Sequence, residues 1–126
     1  MIRGIEGINL FSQNATKLAN FYKKVVGLKL SNEAVMGKDT NVYEFGFKRG
    51  TSLYVIDHSE VKGKTNEPKR IMFDLEVDDI KKEVARLKKN KVKLVQDTYH
   101  VEMYGWIATF VDIDGNYFQL VQVKAK

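Results

Sequence analysis

Asp74 and Glu76 stand two positions apart in the stretch Met72-Phe73-Asp74-Leu75-Glu76-Val77. Side chains alternate along a strand, so this spacing sends both carboxylates to one face. Desolvation that raised either pKa toward neutrality would make a general base, and Asp74 is the candidate catalytic residue. The competing reading is a polar residue satisfied by Asn9 or by a backbone amide. Other chemistry is narrowed by composition. The chain has no cysteine and only two histidines, His58 and His100, which removes thiol nucleophiles, thiolate zinc sites and iron–sulfur clusters. A metal site would need Asp74, Glu76 or Glu44 joined by one of those histidines, both expected in loops. Tyr43, Tyr54, Tyr99, Tyr104, Trp106 and Tyr117 suit the walls of a flat organic ligand, and equally suit ordinary strand positions.

These residues need elements to position them. With 126 residues, 44% hydrophobic and 29% charged, the chain is one domain's worth and has apolar material for a packed core. Alternation predicts a strand over Ile5 to Phe11. A helix follows over Asn14 to Val26, with Asn14 as N-cap, Leu18, Phe21, Tyr22 and Val25 on one face, and Gly27 as the left-handed stop. A short strand at Leu28 to Leu30 precedes a hairpin, Asn41 to Phe47 with Ser52 to Asp57, turning at Arg49-Gly50. After a charged connector holding Pro68, the order recurs: strand Ile71 to Val77, helix Asp79 to Asn90, short strand Val92 to Val95, then Trp106 to Val111 paired with Tyr117 to Val123 across Asp114-Gly115. The connector Gln96 to Gly105, with Tyr99, His100, Glu102 and Tyr104, is long for its place and suits either a lid over a cavity or an interface loop.

The repetition has a register. Phe45 and Phe110, Gly50 and Gly115, Leu53 and Phe118, and Val55 and Leu120 are each 65 apart, which implies two supersecondary units in tandem. The expected fold class is α+β, two tandem βαβββ modules forming a curved mixed sheet around a cavity. Residues 1–57 form module 1, 58–69 the linker and 70–126 module 2. In the first strands Ile8, Leu10, Phe73, Leu75 and Val77 are the apolar row that packs on the helix. The opposite rows, Gly7, Asn9 and Phe11 in one module and Met72, Asp74 and Glu76 in the other, face the cavity beside Tyr54 and Gln119.

Two stretches resemble a known family, the vicinal oxygen chelate superfamily of glyoxalases, bleomycin-resistance proteins and dioxygenases. Phe21-Tyr22-Lys23-Lys24-Val25-Val26-Gly27-Leu28 is similar to its F-Y-x-x-x-L-G-L stretch. Phe110-Val111-Asp112-Ile113-Asp114-Gly115-Asn116 is similar to its F-x-D-P-D-G-N turn, with Ile113 where proline is usual. The resemblance covers nearly the whole chain and includes the strand-to-helix run Asp74 to Ile80. It implies metal ligands, in metal-dependent members, at the positions of Gly7, Tyr54, Met72 and Gln119. Gly and Met are not such donors, so no metal and no cofactor is expected.

The function that follows is metal-free binding, with sequestration as a specific form, of a small cationic or aromatic organic molecule. Asn9, Tyr54, Asp74, Glu76 and Gln119 would supply polar contacts and Trp106 an aromatic wall. An enzyme of the same superfamily (a lyase, isomerase or dioxygenase with a rebuilt metal site, or a catalyst using the Asp74 carboxylate) is the alternative. A third reading is an assembly module that keeps the fold and has lost the pocket. The net charge of +5 comes mostly from lysines interleaved with acids, a solvated surface rather than a nucleic-acid groove. No apolar run is long enough for a membrane span and the N-terminus lacks a signal-peptide pattern, so a cytoplasmic protein is expected. The resemblance implies a homodimer.

Overall fold

Alternation of apolar and polar residues in Gly7–Ser12 makes β1, and the chain then turns into α1 (Ala15–Asn20), capped by Asn14, whose side chain accepts from Lys17 N at 3.1 Å. The structure is a computed structural model and describes residues 1–123. The expected single helix to Val26 changes character at Phe21, where Phe21–Val26 winds as a π-helix. Tyr22 O accepts from both Gly27 N and Leu28 N at 2.9 Å, and Gly27, at φ 96°, ends the helix in the left-handed conformation. Strands β2 (Asn32–Met36), β3 (Thr40–Phe45) and β4 (Ser52–Asp57) complete the unit. The sheet order is β1-β4-β3-β2, with β1 parallel to β4 and the other pairs antiparallel. Leu18, Tyr22, Phe45, Leu53 and Val55 are buried together between helix and sheet. The short strand expected at Leu28 to Leu30 is loop, and β2 begins two residues beyond it.

The second unit repeats this with β5 (Phe73–Glu76), α2 (Ile80–Lys89), β6 (Leu94–Val101), β7 (Gly105–Val111) and β8 (Tyr117–Val123), in the order β5-β8-β7-β6. Ile80, Val84 and Leu87 bury one face of α2, and Phe110, Phe118 and Leu120 are buried from the sheet. The predicted 65-residue offset holds at the level of strand pairing: Ile8 lies opposite Leu53 and Phe73 opposite Phe118, Asn9 opposite Tyr54 and Asp74 opposite Gln119. It extends to the helix caps, Asn14 and Asp79, each accepting from the amide three residues on. Both modules of the expected α+β fold are therefore present, each with its own four-stranded mixed sheet.

Compact unit one spans Met1–Gly63 and the second begins at Lys64. Within the expected linker, Gly63 N donates to Gln13 Oε1 at 2.9 Å in the first unit, and Thr65 N donates to Asp114 O at 3.0 Å in the second. The Asp-rich turn of the second unit owes its shape to Asp112. Its buried carboxylate accepts from Asp114 N and Asn116 N, both at 2.9 Å, and from the Asn116 amide. Ile113 in place of proline is tolerated because Asp112 already fixes the turn.

One expectation is corrected here. Residues 96–105 are not a long connector: β6 runs to Val101 and a turn of three residues, 102–104, leads into β7. Tyr99 and His100 of the proposed lid are strand residues, while Glu102 and Tyr104 sit in the turn. His100, expected in a loop, pairs with Trp106 across the hairpin.

Candidate functional site

Each sheet packs one face on its helix; the opposite face, termed the open face, mixes exposed Asn9 and Asp74 with buried Thr109 and Val121. In the first unit the open face carries Gly7, Asn9 and Phe11 of β1 with Ser52, Tyr54 and Ile56 of β4 and Glu44 of β3. Asn9 is exposed. Ser52 Oγ donates to Glu44 Oε2 at 2.7 Å, and Tyr54 OH donates to Glu6 Oε1 at 2.6 Å. That bond to Glu6, with lesser desolvation and the charges of Glu44 and Glu6, raises the phenol above its ordinary pKa. The Tyr54 ring lies over Gly7 so closely that a Cβ at Gly7 would overlap it. Any larger residue at position 7 would have to displace the Tyr54 ring.

The open face of the second unit carries Asp74 and Glu76 of β5, Gln119 and Val121 of β8, and Thr109 and Ile107 of β7. The Gln119 side-chain amide donates to Thr109 Oγ1 at 3.0 Å. Asp74 is exposed by area, yet the sheet and turn around it displace enough water to raise its carboxyl above the usual value, and the bond it accepts from the Tyr104 hydroxyl offsets this only in part. Tyr104 is raised in turn, first by desolvation and then by the charges of Asp74 and Glu76. Sequence reasoning placed Tyr104 in a lid and missed that it is the partner of Asp74. The signal was obscured because the turn that delivers it was read as part of a loop.

Trp106 is corrected as well. Phe110, Ala108 and Trp106 share the parity of Phe118, Leu120 and Gln122, the helix-side face. Trp106 therefore lies on the face opposite to Asp74 and Gln119, and lines a cleft at the end of the sheet with Glu76. It packs against His100, with the rings tilted and their centroids 4.7 Å apart. Tyr99, opposite Ile107, falls on the open face.

The positions at which the resemblance implies metal ligands do not fit an ion. Gly7 has no donor and is covered by the Tyr54 ring, Tyr54 is engaged with Glu6, Met72 offers only a thioether, and the Gln119 amide is turned to Thr109. Among the described residues no group of three or more His, Cys, Asp or Glu is arranged to hold a metal.

The sequence matches the model of the Glyoxalase/Bleomycin resistance protein/Dioxygenase superfamily over residues 4–120, and the chain belongs to that family. Solved structures agree on the fold. TnmS3, an antibiotic binding protein from Streptomyces sp. CB03234, is 23% identical with a TM-score of 0.77, covering 98% of each chain. Glyoxalase I from Leishmania major is 20% identical with a TM-score of 0.75, covering 96% of this chain and 87% of its own. The fosfomycin resistance protein FosX from Listeria monocytogenes is 18% identical with a TM-score of 0.69, covering 98% and 94%. No curated protein matches the sequence. No helix among the described residues is long and apolar enough to cross a membrane.

Proposed function

We propose that this protein binds a small organic cation, aromatic in at least part, and releases it unchanged. The observation that carries the reading is Asp74: an exposed carboxylate raised by desolvation, held by the neutral Tyr104 hydroxyl, with no ion-pair partner among the described residues. A ligand ammonium would supply the counter-charge that the fold withholds, with Glu76 and Gln119 beside it and Tyr104 as a hydrogen-bonding wall. Asn9 and Tyr54, on the open face of the first unit, form a separate candidate surface. Antibiotic binding by TnmS3 is consistent with sequestration as the purpose. A homodimer is proposed on the family resemblance, and light scattering tests it.

A calorimetric and thermal-shift screen with cationic glycopeptides and small aromatic amines tests the binding reading. A hit should lose affinity about tenfold or more in Asp74→Asn, the scale of one hydrogen bond to a charged group. A screen without binders, or a hit indifferent to Asp74→Asn, overturns it. The raised carboxyl equally suits a general base, so mass spectrometry of the bound compound after incubation separates binding from turnover. Conversion that stops in Asp74→Asn would establish the enzyme.

A further inference from the structure

We propose that the second unit carries another binding site, for a flat organic cation, in a cleft at the end of its sheet. This does not rest on the open-face reading. The cleft has a volume of about 710 Å³ and lies where the ends of β5 and β8 meet the β6–β7 turn. Glu76, Asp78 and Glu102 line it, and among the described residues lining it there is no lysine or arginine. That is a local reversal of sign in a chain with 21 basic and 16 acidic residues. Neither Asp78 nor Glu102 has an ion-pair partner among the described residues.

The wall of the cleft is aromatic. Trp106 lines it at 43% exposure and leans on His100 at an interplanar angle of 56°, which leaves indole surface to solvent. An exposed tryptophan beside the carboxylates of Asp78 and Glu102 offers the two contacts an aromatic cation needs: stacking or cation–π on the ring, and charge-assisted hydrogen bonds at the rim. The backbone is shaped to the same end. Gly105, at φ 145°, lets β7 run so close to β8 that any Cβ would overlap Gln122 O, and Met103, at φ 71°, is held out at 86% exposure on the rim.

Trp106 is the only tryptophan of the chain, so one indole N–H resonance in an ¹⁵N–¹H spectrum reports on the cleft without ambiguity. Benzamidine is the probe and benzamide its neutral isostere. The expected result is a saturable shift of that resonance with benzamidine, absent with benzamide and weakened by added salt. Affinity should fall about fivefold or more in Asp78→Asn/Glu102→Gln and measurably in Glu102→Gln alone, which leaves the start of α2 untouched. Calorimetry on Trp106→Leu should show a loss as well, and Glu60→Gln, which removes an exposed carboxylate of the first unit, should bind benzamidine as the native protein does. No saturable shift, an equal shift with benzamide, or undiminished binding in folded Glu102→Gln and the double variant would each overturn the proposal. Equal loss of binding in Glu60→Gln would show a general charge effect rather than a site, and would overturn the proposal too.

Discussion

In the first unit the amide that starts α1, Ala15 N, is held at 2.7 Å by a carboxylate, Asp57. In the second the amide that starts α2, Ile80 N, is held at 2.8 Å by a carboxamide, Gln122, 65 positions on. The geometry is the same and the chemistry differs. Asp57 also accepts from Asn41 N at 3.0 Å and Asn41 Nδ2 at 2.8 Å, tying the helix to β3. α1 has six residues before it slackens into the π-helix, whereas α2 has ten regular ones. The helix that changes character has the stronger tether, a charged acceptor taking three donors against a neutral one taking one. Similarly, the turn of the second unit is fixed by Asp112, and the position 65 residues earlier is exposed Phe47. A duplicated frame thus keeps its register while each copy secures it with different side chains.

The largest effect should come from that tether. Asp57→Ala leaves three donors without their acceptor and is expected to cost about 2 to 3 kcal/mol, against about 1 kcal/mol for Gln122→Ala. Urea denaturation of the two variants measures both, and equal costs would break the comparison. The pH dependence has a definite sign. Burial works to raise the Asp57 carboxyl, but its bonds from Ala15 and Asn41 outweigh it and the pKa is lowered. Its contribution is therefore complete above the ordinary carboxylate range and is lost as pH falls through the lower folded-state value. Asp57→Asn should flatten that acid limb, and Gln122→Glu should create one in the second unit.

Gly7 and its counterpart Met72 sharpen the same contrast at about half the size. A methyl group at position 7 meets the Tyr54 ring, so Gly7→Ala should cost about 1 to 2 kcal/mol, an overpacking penalty. Tyr54→Ala in the same chain should remove most of it, which a double-mutant cycle reads as coupling. Met72 is 39% exposed, and Met72→Ala should stay within about 0.5 kcal/mol. An uncoupled Gly7→Ala would mean that backbone conformation, rather than the ring, selects glycine there.

The repeat was legible in sequence because strand pairing preserves spacing: a 65-residue offset in Phe45 and Phe110 or Leu53 and Phe118 is also a pairing offset. What was lost had left no periodic trace. β2 is exposed at every residue, so no apolar alternation marks Asn32–Met36, and the apolar pair Leu28 and Leu30 drew the assignment to loop. In β6 the register slips between Leu94 and Gln96 and again between Gln96 and Tyr99. Such bulges break the period of two, and the strand reads as a connector. The same slips hid that Tyr104 reaches Asp74. The π-helical bonding from Tyr22 O has no signature distinct from an ordinary helix end. Asp74, Glu76 and Gln119 were placed on one face correctly because their strands are regular. Trp106 was misassigned for want of one parity check: Thr109 shares the face of Gln119, and three residues away the face inverts.

Asp74 gives the smallest stability effect and the one that decides most. Its shift is opposite in sign to that of Asp57. The folded protein holds the Asp74 proton more tightly than the unfolded chain does, so ionisation opposes folding and stability is lost as pH rises through the raised pKa. Asp74→Asn keeps an oxygen for the Tyr104 hydroxyl and removes the charge. It should therefore gain a few tenths of a kcal/mol at neutral pH, small because the residue is exposed and water screens it. A side chain whose replacement stabilises the fold while abolishing binding is there for the ligand, since folding alone gives no reason to keep it. Should Asp74→Asn lower the unfolding midpoint in urea, Asp74 is a structural residue like Asp57, and the case for a cationic ligand on this face loses its foundation.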